Sequence, residues 1–115
     1  MRVSILALSV LSALALVACG GSSGGTTIAD YEGALTSRDV STGAQVYEEF
    51  CEGCHPGGGK GDGPAINGIG WSPAETRMRI REGKKDMPGF GTDKISDAQL
   101  EAVLAYLVKP GTVKR

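Results

Sequence analysis

The sequence is short of the groups that most folded domains rely on. Aromatic residues make up 5% of its 115 positions, with a single tryptophan, and there is one histidine. A folded region of about 70 residues with so few large side chains needs a staple to hold it. The three cysteines allow one disulfide at most, too few for a disulfide framework. Charge is nearly balanced, with 12 basic against 13 acidic residues and a net charge of −1, so no basic footprint points to nucleic acid. Alternating apolar patterns are missing too, and we read no convincing strand.

Most of the apolar length lies at the N-terminus. Arg2 precedes Val3–Val17, a mostly apolar run that reads as the core of a secretory signal and is too short for a comfortable membrane span. The junction Leu16-Val17-Ala18-Cys19 has the form of a bacterial lipobox, which makes Cys19 the lipid anchor and residues 1–18 a lipoprotein signal peptide. Residues 19–40 then form the lipidated cysteine and a flexible linker, rich in glycine and serine at its start. Residues 41–110 form the folded domain and 111–115 a tail. The expected location is extracytoplasmic, on a bacterial membrane and facing the periplasm or outer surface.

The remaining two cysteines stand in Cys51-Glu52-Gly53-Cys54-His55. C-x-x-C-H is the pattern of covalent c-type haem attachment: two thiols bond the porphyrin edge, and the adjacent imidazole ligates the iron. One covalent haem c, held through Cys51 and Cys54 with His55 as metal ligand, would also supply the missing staple. A zinc site lacks a fourth nearby cysteine or histidine. A redox dithiol would require a βαβ context that this chain does not offer. The following Gly57–Gly63 run fails the phosphate-loop pattern, since Cys54 occupies its first glycine position and Gly61 follows Lys60.

Three helices are predicted around this segment. The first opens at Thr42, with Gln45 completing a capping box and Gly43, Tyr47, Phe50 and Cys54 on one face. The second opens at Ser72-Pro73-Ala74-Glu75 and stops at Gly83. The third opens at Ser96 with Gln99, carries Leu100, Val103, Leu104 and Leu107 on its apolar stripe, and ends at Pro110-Gly111. The sulfur available for the opposite face of the iron is Met87, in a loop stiffened by Pro88, or Met78, inside the second helix where methionine usually packs. Met87 is preferred.

Residues 41–108 resemble the class I bacterial c-type cytochromes, small single-haem proteins. Gly43 and Tyr47 match that family's positions before the first haem cysteine, and Val103 with Tyr106 matches the partner pair on the last helix. The resemblance implies an all-α cytochrome c fold, three main helices with glycine-rich loops wrapped around one covalent haem. It assigns the Pro64 carbonyl, in Gly63-Pro64-Ala65-Ile66-Asn67-Gly68, to accept the imidazole N–H of His55. It identifies Asp86-Met87-Pro88-Gly89-Phe90 as the methionine-ligand region, and it places Trp71 near the propionates or in ordinary packing. The short step from His55 to Met87 departs from the family and implies trimmed loops at the haem edge.

The function this implies is transfer of one electron at a time between membrane-associated or periplasmic redox partners, by a carrier and not an enzyme. The chain would act as a monomer or as a subunit of a respiratory complex. A haem-based gas sensor or peroxidase-like protein with a displaceable methionine is the alternative; the lack of a second histidine counts most against the peroxidase. Arg77, Arg79, Arg81, Lys84 and Lys85 form either a docking patch for an acidic partner or a solvated helix face.

Overall fold

A computed structural model describes residues 24–115. The expected signal peptide and Cys19 therefore lie outside the described residues. Three helices dominate: α1, Val40–Phe50; α2, Pro73–Glu82; and α3, Asp97–Val108. Two short 3₁₀ turns, Ile28–Tyr31 and Pro56–Gly58, precede and follow α1. Among the described residues there is no sheet, only isolated bridges such as Trp71 with Val113. The fold is all-α, as the pattern implied.

The predicted caps of α2 and α3 are present. Ser72 and Glu75 bond reciprocally across the first turn of α2, and Ser96 and Gln99 do the same for α3. The start of α1 differs from expectation. Its N-cap is Asp39, whose carboxylate accepts from the Thr42 amide at 3.0 Å and the Thr42 hydroxyl at 2.6 Å. An ionised carboxylate satisfies an unpaired helix amide and also complements the positive end of the helix dipole. Thr42 is thereby drawn into the third helical position as a donor.

α1 and α3 cross at closest approach where α1 carries Gly43. A methyl group there would overlap the Ala102 carbonyl and lie 2.8 Å from Tyr106 Cβ. Only hydrogen fits. Around this crossing pack Val46, Tyr47, Leu100, Val103, Leu104 and Leu107, joined by Ile80 from α2, Ile95 and Val113. Val103 and Leu104 are wholly buried, each contributing about 2 kcal/mol by burial. The Val113 side chain is held inside because its segment pairs with Trp71: the Trp71 amide donates to Thr112 at 2.9 Å and the Lys114 amide to Trp71 at 2.8 Å.

The segment before α1 is docked. Arg77, buried on α2, donates to the carbonyls of Tyr31, Gly33 and Ala34 at 2.8–3.0 Å and pairs with Glu101 of α3 at 2.6 Å. Glu101 also accepts from the Thr36 amide at 2.9 Å, and the Tyr31 hydroxyl donates to Glu82. Residues 27–36 thus form a strap across α2 and α3. The Arg77 guanidinium is neither a docking group nor a solvated one, contrary to both readings of the basic cluster. Its five N–H groups meet acceptors supplied by two segments, the strap and α3. Arg81 departs in the same way: it donates to the carbonyls of Phe90 and Ile95 and pairs with Asp97.

Candidate haem-attachment site

α1 ends at Phe50, and the chain turns immediately. The Cys51 amide still bonds back to Tyr47, while Cys54 and His55 amides donate to the Cys51 carbonyl at 3.2 and 2.9 Å. This tight turn gathers two thiols and one imidazole on a single loop. Cys51 is half-buried and Cys54 exposed. Burial pushes the Cys51 thiol up to about 11, with the neighbouring Cys54 adding to the shift. A redox dithiol needs the reverse, a thiol acidified towards neutral pH.

His55 is 8% exposed. Its Nδ1 lies 2.8 Å from the Pro64 carbonyl oxygen. A carbonyl can only accept, so in the neutral ring Nδ1 carries the proton and Nε2 is left with its lone pair free. That is the tautomer of a metal ligand. Gly63 leaves room for the ring, since a methyl group on it would overlap His55 Cε1. The His55 carbonyl accepts from the buried Tyr47 hydroxyl at 2.5 Å and from the Gly58 amide at 2.9 Å. Burial pushes the Tyr47 phenol up to about 12, so it stays a donor.

The glycine-rich loop is shaped by polar side chains. Glu52 accepts from the Gly57 amide with both carboxylate oxygens at 3.1 Å, and Asn67 donates to the Gly57 carbonyl at 2.9 Å. Gly58 accepts from the amides of Ile66 and Asn67, which closes the loop beside the imidazole.

Met87 sits half-buried in a turn in which Lys84 and Met87 exchange both backbone hydrogen bonds. Lys85 in that turn has φ 53°, the left-handed region. The loop is tied to the core at Phe90, whose amide donates to Ile80 at 2.8 Å and whose carbonyl accepts from Arg81 at 3.0 Å. Phe90 meets Phe50 edge-on, ring centroids 5.7 Å apart. Phe50 immediately precedes Cys51, so this contact joins the cysteine turn to the methionine loop. Met78, half-buried, lies within α2. Trp71 stacks under the Arg79 guanidinium, 5.2 Å from its ring centre.

Several of these contacts were invisible to sequence reasoning. Nothing marked Arg81 as the anchor of the methionine loop, because a cation facing inward toward carbonyls carries no local pattern. The Phe50–Phe90 contact had a faint signal: Phe50 adjoins a candidate attachment cysteine, and Phe90 lies three residues from the candidate ligand Met87. The donor set nonetheless fits a haem c. Two thiols and an imidazole with Nε2 free share one turn, Met87 supplies a thioether from a loop joined to that turn by the Phe50–Phe90 contact, and Phe50, Ile66 and Phe90 are half-buried apolar side chains.

Comparison with known proteins agrees. The chain matches, over residues 38–107, the family described as "Cytochrome C oxidase, cbb3-type, subunit III", a range that contains every cysteine, histidine and methionine of the candidate site. It is 35% identical over 78 residues to "Cytochrome c6" from a Synechococcus species, covering 61% of this chain and 69% of that protein. No solved structure matches. The homology is to c-type electron carriers, which are not catalysts. The chain therefore belongs to the family of small haem-c cytochromes described as cytochrome c oxidase, cbb3-type, subunit III, and that membership implies a haem c cofactor.

Proposed function

We propose that this protein is a single-haem electron carrier, its haem bonded through Cys51 and Cys54 and its iron ligated by His55 and Met87. The observation that carries the reading is the imidazole. In a C-x-x-C-H turn, His55 has Nδ1 committed to the Pro64 carbonyl and Nε2 left over. When bound, haem c supplies a one-electron couple between ferric and ferrous iron.

The residues of this chain prepare that couple. Pro64 holds the imidazole proton at Nδ1 and makes Nε2 a stronger donor. Met87 offers a neutral sulfur, which favours the ferrous state, and the half-buried apolar side chains disfavour the extra positive charge of the ferric one. Arg81 and Phe90 restrain the methionine loop, so that both ligands stay in place in either oxidation state. An exchange of this kind needs proximity of partners and no substrate pocket. Cys54, exposed, marks an accessible edge.

The partners in this reading are redox proteins of the cell envelope, met as a free carrier or as a subunit of a respiratory complex. Lipidation at Cys19 would keep the domain at a bacterial membrane on its extracytoplasmic side. The test is the visible spectrum of the membrane-matured, reduced protein before and after carbon monoxide. A c-type spectrum unchanged by the gas is expected. A spectrum that shifts would replace the carrier reading with the gas-sensing one, because Met87 would then be absent from the iron or easily displaced.

A further inference from the structure

We propose that the Tyr47 hydroxyl is a positioning group for the His55 imidazole, an inference that rests on the haem reading above. Tyr47 is 3% exposed, and its ring packs at the α1–α3 crossing with the Tyr106 ring 5.3 Å away. That packing needs an aromatic ring and no oxygen. A phenylalanine would serve, without a polar atom to satisfy in the interior. The hydroxyl must have a partner, and its partner is the main-chain carbonyl of the candidate iron ligand, at 2.5 Å.

The His55 carbonyl does not depend on Tyr47 for satisfaction, because it already accepts from the Gly58 amide. The two donors differ in what stands behind them. Gly58 belongs to a glycine run, with Gly57 and Gly58 at φ 58° and 75°. Tyr47 belongs to α1, which α3 grips at Gly43. The hydroxyl therefore fastens the ligand's backbone to the closely packed α1–α3 crossing. With the His55 amide on Cys51, Nδ1 on Pro64 and the carbonyl on Tyr47 and Gly58, Nε2 is the one polar atom of His55 that has no hydrogen bond among the described residues. Removing the hydroxyl leaves the carbonyl paired, so the Phe variant folds and carries the ring. What it loses is a fixed orientation of the ligand.

The test uses the matured protein, its Tyr47→Phe variant and a Val103→Ala control. Val103 is fully buried at the same helix crossing and makes no hydrogen bond to His55. Two readouts follow: the electron paramagnetic resonance g-values of the ferric form, which report the orientation of the axial ligands, and the exchange rate of the His55 Nδ1 proton in the ferrous form. Tyr47→Phe should keep a c-type visible spectrum, shift the g-values and speed the exchange about fivefold, the ordinary worth of one hydrogen bond. Val103→Ala should lower the thermal midpoint more and leave both readouts unchanged. Tyr47→Phe matching the wild type in both, or changing only as the control does, overturns the proposal. A wild-type protein without a c-type spectrum removes the haem reading, and this inference with it.

Discussion

Single residues carry much of the stability, and Arg77 most clearly. Its guanidinium serves Glu101 and three carbonyls of the strap from a buried position. Arg77→Met would leave Glu101 charged, largely buried and unpartnered by a cation. A loss of about 3 kcal/mol in urea unfolding is expected, the usual effect of breaking a buried pair from one side. Gly43→Ala sets two effects in opposition. Alanine favours the helix by up to about 1 kcal/mol over glycine. Its methyl group would also force apart a crossing with no free space, at about 1–3 kcal/mol. The steric effect is expected to prevail, with a lower denaturant midpoint for the alanine variant. The two residues also differ in how they could be read. Gly43 was legible through its match to the resembled family's position before Cys51, whereas Arg77 looked like any surface cation. Its acceptors lie 43–46 residues away on the main chain, where no side-chain pattern records them.

Among the elements, the strap depends on groups that titrate, whereas the methionine turn carries backbone strain. The strap is held at its two ends by groups that titrate. Hydrogen bonding to Glu82 pushes the Tyr31 phenol up to about 12, so this bond contributes fully below about pH 10, where a free tyrosine begins to ionise, and is lost as pH rises towards 12. Burial raises Glu101, but Arg77 and the Thr36 amide outweigh it and hold the carboxyl below its ordinary value. Its contribution is complete above the ordinary glutamate range and is lost as pH falls through the lowered value. Methyl relaxation at Ala29 and Ala34 should report a rigid strap through neutral pH and a loosened one at both extremes. A strap no more mobile above pH 12 than at pH 7 would contradict the Tyr31 bond. The methionine turn instead stores strain at Lys85. Lys85→Gly should raise stability by about 1 kcal/mol in thermal unfolding, because glycine takes the left-handed region without the Cβ clash. The starts of α2 and α3 were legible to the residue, since a capping box is written within four positions, while α3 ends at Val108, two residues before the Pro110 stop signal. The Asp39 cap is just as local. Its signal is ambiguous, because Asp39 and Thr42 are both capping residues and Thr42 can act as cap or as capped donor. The cysteine turn was legible for the same reason of contiguity. The Pro64 partner was not, since nine residues and a glycine-rich loop separate it from His55, and only the family resemblance pointed there.

At the scale of the whole molecule, the protein core is thin. Its largest fully buried side chains are Ile95, Leu104 and Val103, and the aromatics Phe50 and Phe90 are only half-buried against it. Small domains with cores of this size lean on a covalent or metal staple. Replacing Cys51 and Cys54 together by alanine, which removes the proposed attachment points, should lower the thermal midpoint and broaden the unfolding transition followed by circular dichroism. A sharp, unshifted transition would mean that the three helices suffice alone. The strap has a consequence of another kind, for how far the domain can travel. Were the chain free up to α1, twenty-one Cα steps would separate Cys19 from Val40, a contour of about 74 Å at full extension. Because the chain is bonded to α2 and α3 from Tyr31 to Thr36, a membrane mooring at Cys19 would pay out no further than Tyr31, whatever the conformation of the residues between. Twelve steps reach at most about 42 Å. A domain on so short a leash turns in place more than it roams, and it trades electrons with neighbours already within its arc.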